Sequence, residues 1–525
     1  MRRSSGIPRV LAVVLVVLAF VATVSCTPQA ADSAARSATK PSVVPRSDEP
    51  APVPPDVPAG LRRYYEQRLD WQPCEVGESF DCATLEVPLD YAHPQQQAIE
   101  LGVLRVRARD DDARLGSLVV NPGGPGGSGI EYAAAAPFVI SRPVLDRYDI
   151  VGFDPRGVGT STPVDCVSDR EMDAYLAIDA SPDSAAEQQE LLAAARKFAT
   201  GCKTRSGELL GHVSTVEAAR DMDILRSALG DKELTYLGKS YGTFLGATYA
   251  ELFPQRAGRL VLDGAIDPTL SARDLSLEQA KGFEVALRAF ITDCVQGGEC
   301  PLGSSRAEAY RRLDSLLARI DRTPLPTGEE RELTQSLAVT GIVMPLYLKE
   351  YWPRLRVALA AALNGDGSRL LTLADEYAER QPDGRYRSNS GEAIYAVNCL
   401  DRPDLSSLKE AVAEEPAFRK ASPRFGPFIL WGSLTCAEWP VKPTGKPGPL
   451  RAVGSKPILV IGTTRDPATP YEWSVRLADQ LASGVLLTRE GDGHTAYMQG
   501  NVCIDEAVEA FLIDGQPPAD GTRCS

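Results

Sequence analysis

Histidine is the scarcest chemistry-bearing residue in this 525-residue chain, which carries only His93, His212 and His494. That limits which imidazole can act as a base and leaves few nitrogen ligands for a metal. No cysteine pattern combines with a histidine at zinc-ligand spacing, so neither a metal nor a cofactor is expected. A surplus of positive charge is missing too. Lys and Arg number 56 against 70 Asp and Glu, a formal net charge of −14, which argues against nucleic acid as a partner. No internal repeat is found, which sets aside repeat architectures.

What the chain does have is a set of glycines around one serine. Gly238-Lys239-Ser240-Tyr241-Gly242 directly follows the apolar run 234–237. A nucleophilic hydroxyl on a sharp strand-to-helix turn needs small residues two positions either side, because neighbouring backbone otherwise blocks the approach. Upstream, Leu118-Val119-Val120 runs into Asn121-Pro122-Gly123-Gly124-Pro125-Gly126-Gly127-Ser128-Gly129, a loop almost bare of side chains. Amides in such a loop can point at a developing oxyanion. The expected donors are the N–H groups of Gly124 and Tyr241. A flexible linker or a phosphate loop is the alternative, but a Walker loop needs Gly-Lys-Ser/Thr after its glycines, and that is missing. Another strand, 148–153, ends in Asp154-Pro155-Arg156-Gly157-Val158-Gly159, where Asp154 and Arg156 are expected to form a structural ion pair holding the loops, with contact to substrate as the alternative.

A serine needs a neutral imidazole to take its proton. His494 lies in Gly491-Asp492-Gly493-His494-Thr495, a loop beyond the strand-like run 484–488. His93 follows the early strand 83–91, and His212 precedes the helical stretch 215–229, where a surface or capping role fits better. The acid that orients the ring is expected at Asp466, which leaves the end of the strand 456–462 ahead of the histidine. The order Ser, Asp, His is that of the α/β-hydrolases. Asp263, after the strand 259–262, is the rival; Asp492 is too near His494 in sequence.

The Pro-Gly-Gly-Pro-Gly loop, the Asp-x-Arg-Gly-x-Gly turn, the Gly-Lys-Ser-Tyr-Gly elbow and the Arg-Asp-x-x-Thr-Pro loop resemble those of the bacterial secreted tripeptidyl aminopeptidases. These are related to the prolyl aminopeptidases among the α/β-hydrolases. The similarity runs from about Trp71 to Cys524. It implies a serine exopeptidase acting on peptides with a free N-terminus, with Ser240, Asp466 and His494 at the triad positions. Prolyl enzymes usually carry His before Gly-Gly-Pro-Gly, whereas Asn121-Pro122 stands here, which speaks against release of single prolines. Such an enzyme needs an anion for the substrate's amino group. Glu392 and Asp401 are the candidates, with ordinary surface acids as the alternative. An esterase or amidase acting on small or lipidic acyl compounds uses the same triad, and a non-catalytic envelope binding protein is a third reading.

The N-terminus reads as a targeting segment. Behind Arg2, Arg3 and Arg9, the apolar run 10–24 is short for a membrane span and suits the core of a signal peptide. It ends at Val24-Ser25-Cys26, which resembles a lipoprotein processing site with Cys26 acylated to anchor the chain in a membrane. Thr23 is less apolar than such sites favour, and plain secretion stays open. Setting Cys26 aside leaves ten of eleven cysteines, an even set that suits five disulfides in an exported protein. Sequence proximity suggests Cys74–Cys82, Cys166–Cys202, Cys294–Cys300, Cys399–Cys436 and Cys503–Cys524.

The expected organisation is a signal peptide over 1–26 and an Ala-, Ser- and Pro-rich tether over 27–60. The α/β-hydrolase core with a mostly parallel sheet follows over 61–270 and resumes over 451–525. A helical cap is inserted over 271–450, where apolar residues recur at three- and four-residue spacing.

Overall fold

Buried aliphatic runs alternate with helices to build one ten-stranded sheet. Its strands are β1 Gln72–Cys74, β2 Gly77–Pro88, β3 Ala98–Val106, β4 Gly116–Asn121, β5 Tyr148–Phe153, β6 Leu234–Lys239, β7 Ala257–Asp263, β8 Ile458–Arg465, β9 Gly484–Asp492 and β10 Thr522–Cys524. The computed structural model describes residues 43–525 except 48, 75–76 and 404–406. The expected signal peptide, Cys26 and tether residues up to 42 lie outside the described residues.

The strand order is β1-β2-β3-β5-β4-β6-β7-β8-β9-β10. Neighbours from β5 to β10 run parallel, and antiparallel pairing is confined to β1–β2, β2–β3 and β3–β5. β4 and β5 are buried at every position. That is the pattern of parallel strands covered on both faces, and it explains their continuous Val, Leu and Ile character.

The helices that matter for the site are α1 Gly129–Ala134, α2 Asp169–Leu176, α3 Ala185–Ser206, α4 Thr215–Ala228 and α5 Tyr241–Leu252. Between β7 and β8 come α6 Ala272–Gln296, α7 Arg306–Arg322, α8 Gln335–Leu346, α9 Trp352–Leu363, α10 Ser368–Tyr377, α11 Ser390–Asp401, α12 Leu408–Ala421, α13 Gly426–Gly432 and α14 Leu434–Ala437. α15 Tyr471–Gln480 and α16 Val502–Asp514 accompany the last strands. Ser271 caps α6 by accepting from Asp274 N, and Ser305 caps α7 by accepting from Glu308 N. Phe283, Leu287, Phe290, Ile291 and Cys294 of α6 face a core shared with Leu313, Ile342, Trp352 and Leu359. This core is distinct from those on the two faces of the sheet.

Five disulfides form in the pairs that proximity suggested: Cys74–Cys82, Cys166–Cys202, Cys294–Cys300, Cys399–Cys436 and Cys503–Cys524. Such a set marks a chain exported to an oxidising compartment. No described helix is long and apolar enough to cross a membrane.

The tether expectation needs correcting for residues 43–60. Arg46 donates to both oxygens of the buried Asp149, at 3.1 and 2.8 Å. Ala51 N donates to Ser227 O at 2.7 Å, and Ala51 and Val57 are buried. Polar anchoring holds this segment to the body, which a composition argument about apolar residues does not register.

Candidate active site

Ser240 sits between the end of β6 and the start of α5 with φ 55° and ψ −123°, a conformation rare for a residue with a side chain. The flanking glycines are steric necessities. A Cβ on Gly238 would stand 2.3 Å from Gly242 O, and one on Gly242 would stand 2.8 Å from Asn121 Oδ1. The glycine loop after β4 closes on the same serine. Gly123, at φ 103°, would bring a Cβ within 2.8 Å of the Ser240 Cβ and 3.1 Å of Tyr241 N. Its own amide donates to Asn121 Oδ1 at 3.0 Å. The next amide, Gly124, and that of Tyr241 in the first turn of α5 have no acceptor among the described residues.

His494 is held from several directions. Its Nδ1 lies 2.9 Å from each carboxylate oxygen of Asp466 and 3.3 Å from Thr469 Oγ1. Its backbone N–H donates to Tyr347 O at 2.7 Å, and its ring meets the Tyr347 ring edge-on at 5.4 Å. Asp466 is 2% exposed and also accepts from Ala468 N, Thr469 N and Thr495 N at 2.8–3.1 Å. An ionised carboxylate only accepts, so a neutral ring in this position carries its proton on Nδ1 and keeps the lone pair on Nε2. Nε2 has no hydrogen-bond partner among the described residues. Ser240 Oγ and the ring are not hydrogen-bonded to one another here, and bonds of this kind commonly tighten only with substrate in place.

Asp263 joins the serine elbow to the histidine loop without touching the imidazole. Its carbonyl accepts from Ser240 N at 2.9 Å. Its carboxylate accepts from Ala496 N at 2.9 and 3.1 Å and from Tyr497 N at 3.0 Å. Burial raises its pKa, opposed by Lys239 and by those two amides. Lys239 Nζ stands 3.9 Å from Asp263 and donates to Tyr497 O at 2.9 Å. The acid that contacts the ring is therefore Asp466, while Asp263 positions the loop that carries it. Sequence reasoning gave no role to Lys239, Tyr347 or Thr469, although the Gly-Lys-Ser-Tyr-Gly elbow contained Lys239 and the Arg-Asp-x-x-Thr-Pro loop contained Thr469.

Two expectations about acids need correcting. Glu392 is buried and accepts from Cys166 N and Val167 N at 2.9 and 3.0 Å, with its pKa raised by burial. Asp401 is buried and accepts from Thr215 N at 2.8 Å and Thr215 Oγ1 at 2.5 Å. Burial pushes its carboxyl up to about 6. Both acids hold protein segments together and are not the ordinary surface acids of the alternative. Asp154 and Arg156 do not pair with each other either. Asp154 accepts from Ser128 Oγ, Ile130 N and Thr160, whereas Arg156 forms a two-pronged pair with Asp221 at 2.7 Å.

His93 contacts Asp90 at 2.6 Å and His212 contacts Glu217 at 3.0 Å, both away from the serine. Asp90, His212 and Glu217 have ligand atoms within 4.8 Å of one another and are the group close enough to share a cation among the described residues. These contacts already occupy them.

A cavity of about 350 Å³ lies among the helices between β7 and β8, with α2 and α3 along its wall. Tyr347, Tyr377, Tyr395, Phe425 and Asn398 line it, and Tyr347 is the ring packed on His494.

Residues 422–524 match the family described as TAP-like protein. Serine protease Hip1 of Mycobacterium tuberculosis is 41% identical over 481 residues, covering 87% of this chain and 91% of that protein. Carboxylesterase B of the same organism is 37% identical over 458 residues, covering 85% and 86%. Tripeptidyl aminopeptidase of Streptomyces lividans is 32% identical over 482 residues, covering 87% and 86%. At 41% and 32% identity over 87% of its length, the chain belongs to the α/β-hydrolase family that includes Hip1 and the tripeptidyl aminopeptidases.

Proposed function

We propose that the chain is an exported serine exopeptidase that releases short peptides from the N-termini of its substrates through an acyl-enzyme on Ser240. The observation that carries this reading is an imidazole with Nδ1 tied to buried Asp466 and Nε2 left open, beside a serine in a strained elbow. His494 takes the hydroxyl proton as Ser240 attacks the scissile carbonyl, and Asp466 holds the ring and stabilises the imidazolium. The unpaired amides of Gly124 and Tyr241 receive the oxyanion, each contributing about 3–4 kcal/mol to the barrier reduction. His494 then protonates the leaving amine. Water activated by the same ring releases the N-terminal fragment. The relatives named serine protease and tripeptidyl aminopeptidase support a peptide substrate.

An esterase acting on small acyl compounds is the second reading. It is favoured by the cavity's described lining, which holds no carboxylate to take an amine, and by the relative named carboxylesterase. Three substrates separate the two readings: a tripeptide arylamide, its N-blocked analogue and a short-chain nitrophenyl ester. Turnover of the arylamide that disappears on blocking the amine supports the exopeptidase. Turnover of the ester alone sinks it. Acylation of Cys26 in the cell envelope belongs to the same proposal, and absence of palmitate incorporation into the full chain would count against it.

A further inference from the structure

Six arginines are buried among the described residues: Arg105, Arg114, Arg156, Arg226, Arg256 and Arg402. The first five each pair with an aspartate: Asp81, Asp149, Asp221, Asp223 and Asp223 respectively. Arg402 has no ion-pair partner among the described residues, and its Nε and Nη2 have no hydrogen-bond acceptor. It is 6% exposed. Burial lowers its pKa, opposed by the nearby charges of Asp401 and Asp267.

The neighbouring groups that could neutralise it are engaged elsewhere. Asp401 is held by Thr215, and Asp267 accepts from Arg476, Thr269 and Gln480. The Tyr241 hydroxyl is bonded to Thr215. A guanidinium buried this way costs several kcal/mol, by order of magnitude, unless something completes its hydrogen bonds.

Its location supplies the reason to keep it. Arg402 follows the last turn of α11 and is the single charged residue among the described lining of the 350 Å³ cavity. Its guanidinium lies 4.5 Å from the centroid of Phe244, one turn beyond Ser240 in α5. At the other flank of the same cavity, Tyr347 packs on His494. The cavity thus shares one lining residue with the packing around His494 and another with the turn of α5 after Ser240, and it carries a single positive charge on its described, mainly apolar lining.

We propose that Arg402 binds a carboxylate of the substrate, either an acidic side chain of the peptide or the C-terminal carboxylate of a short one. The planar fork of a guanidinium matches that group, and pairing inside an apolar cavity strengthens the interaction. The role in turnover rests on Ser240 being the nucleophile; the binding site does not.

Hexanoate and hexanamide, alike in shape and unlike in charge, separate the two questions. Hexanoate should stabilise the full chain against thermal unfolding at about tenfold lower concentration than hexanamide. Arg402→Gln should erase that advantage and Arg402→Lys should keep part of it. Equal effects of the two ligands on the native chain, which need no variant, overturn the proposal, as does an advantage that survives Arg402→Gln. In turnover, Glu and Gln are compared at each position of a tripeptide arylamide, and free and amidated C-termini are compared in a tetrapeptide. A preference for Glu assigns the side chain, and one for the free terminus assigns the C-terminal carboxylate. Peptides cleaved with neither preference overturn the substrate role. A hexanoate advantage with no peptide cleaved leaves the carboxylate site standing and sinks the exopeptidase reading instead.

Discussion

Asp466 and Asp263 both leave strand ends beside the histidine loop, and exchanging each for asparagine separates orienting the ring from holding the loop. In Asp466, Oδ1 accepts from Ala468 N and Thr469 N, Oδ2 accepts from Thr495 N, and both oxygens face His494 Nδ1. An amide that keeps its oxygen on the two amides of 468 and 469 turns its NH₂ towards Thr495 N and the ring. Nδ1 then becomes an acceptor, the proton moves to Nε2, and the ring cannot take a proton from Ser240. Loss of the correct tautomer costs about 10⁴-fold in kcat, or about 5.5 kcal/mol in the barrier. Asp263 makes no contact with the ring. With its amide oxygen at the Oδ2 position, Asp263→Asn keeps the bonds that Ala496 N and Tyr497 N make there, sets its NH₂ against Ala496 N in place of Oδ1, and leaves Lys239 without a nearby negative charge. Its loss in kcat should be at least about a hundredfold smaller than that of Asp466→Asn, and its melting temperature should fall further. Tripeptide arylamide turnover, fluorophosphonate labelling and thermal unfolding of both variants test this. A larger kcat loss in Asp263→Asn with unchanged melting would refute the assignment.

Arg156→Ala should lower stability by about 3–5 kcal/mol, because it strands buried Asp221 and the carbonyls of Pro88, Leu89 and His212; thermal unfolding reads it. Cys399→Ser with Cys436→Ser opens a loop of separation 37, worth about 4 kcal/mol by chain entropy, and loosens the helix that carries Tyr395 and Asn398. Melting should drop and KM should rise more than kcat falls. Asp401 binds its proton more tightly when folded, since burial lifts its carboxyl from 3.8 to about 6. Its contribution is fully present below the unfolded value and is lost as pH rises through the folded one. Asp401→Asn, able to keep both contacts with Thr215, should therefore gain on the native chain between pH about 4 and 7, by on the order of 3 kcal/mol. Chemical denaturation at both pH values measures it, and a difference that does not change with pH would refute it.

What could be read from the sequence follows the reach of each interaction. Ser240 was legible because its constraint is local: a side chain on Gly238 would collide with the backbone of Gly242, and one on Gly242 with Asn121, so the motif is the geometry. The parallel strands were legible because burial on both faces leaves continuous apolar runs. Asp263 and Asp466 could be ranked but not told apart in role, since that depends on where residues 494–497 pass and not on anything beside either acid. Arg156 misled by adjacency. Asp154 is two residues away, but the turn sends the two side chains to different partners, and Asp221 arrives from α4.

Glu392 and Asp401 show the complementary failure. Near a disulfide-bound helix they read as acids open to a ligand, yet their partners, Cys166, Val167 and Thr215, come from segments more than 180 residues away, and helical periodicity says nothing of such pairings. The same displacement gives Arg402 its meaning. Next to Asp401 in sequence it looks like half of a neutralised pair, but Asp401 is bonded to Thr215, and the Nε and Nη2 of Arg402 have no acceptor among the described residues. Had Asp401 faced its neighbour, the cavity would carry no net charge and would suit an apolar acyl group. An Asp401 turned towards Thr215 and an Arg402 open to a carboxylate are therefore one structural choice, and a variant that frees Asp401, such as Thr215→Val, should weaken hexanoate binding without touching the cavity wall.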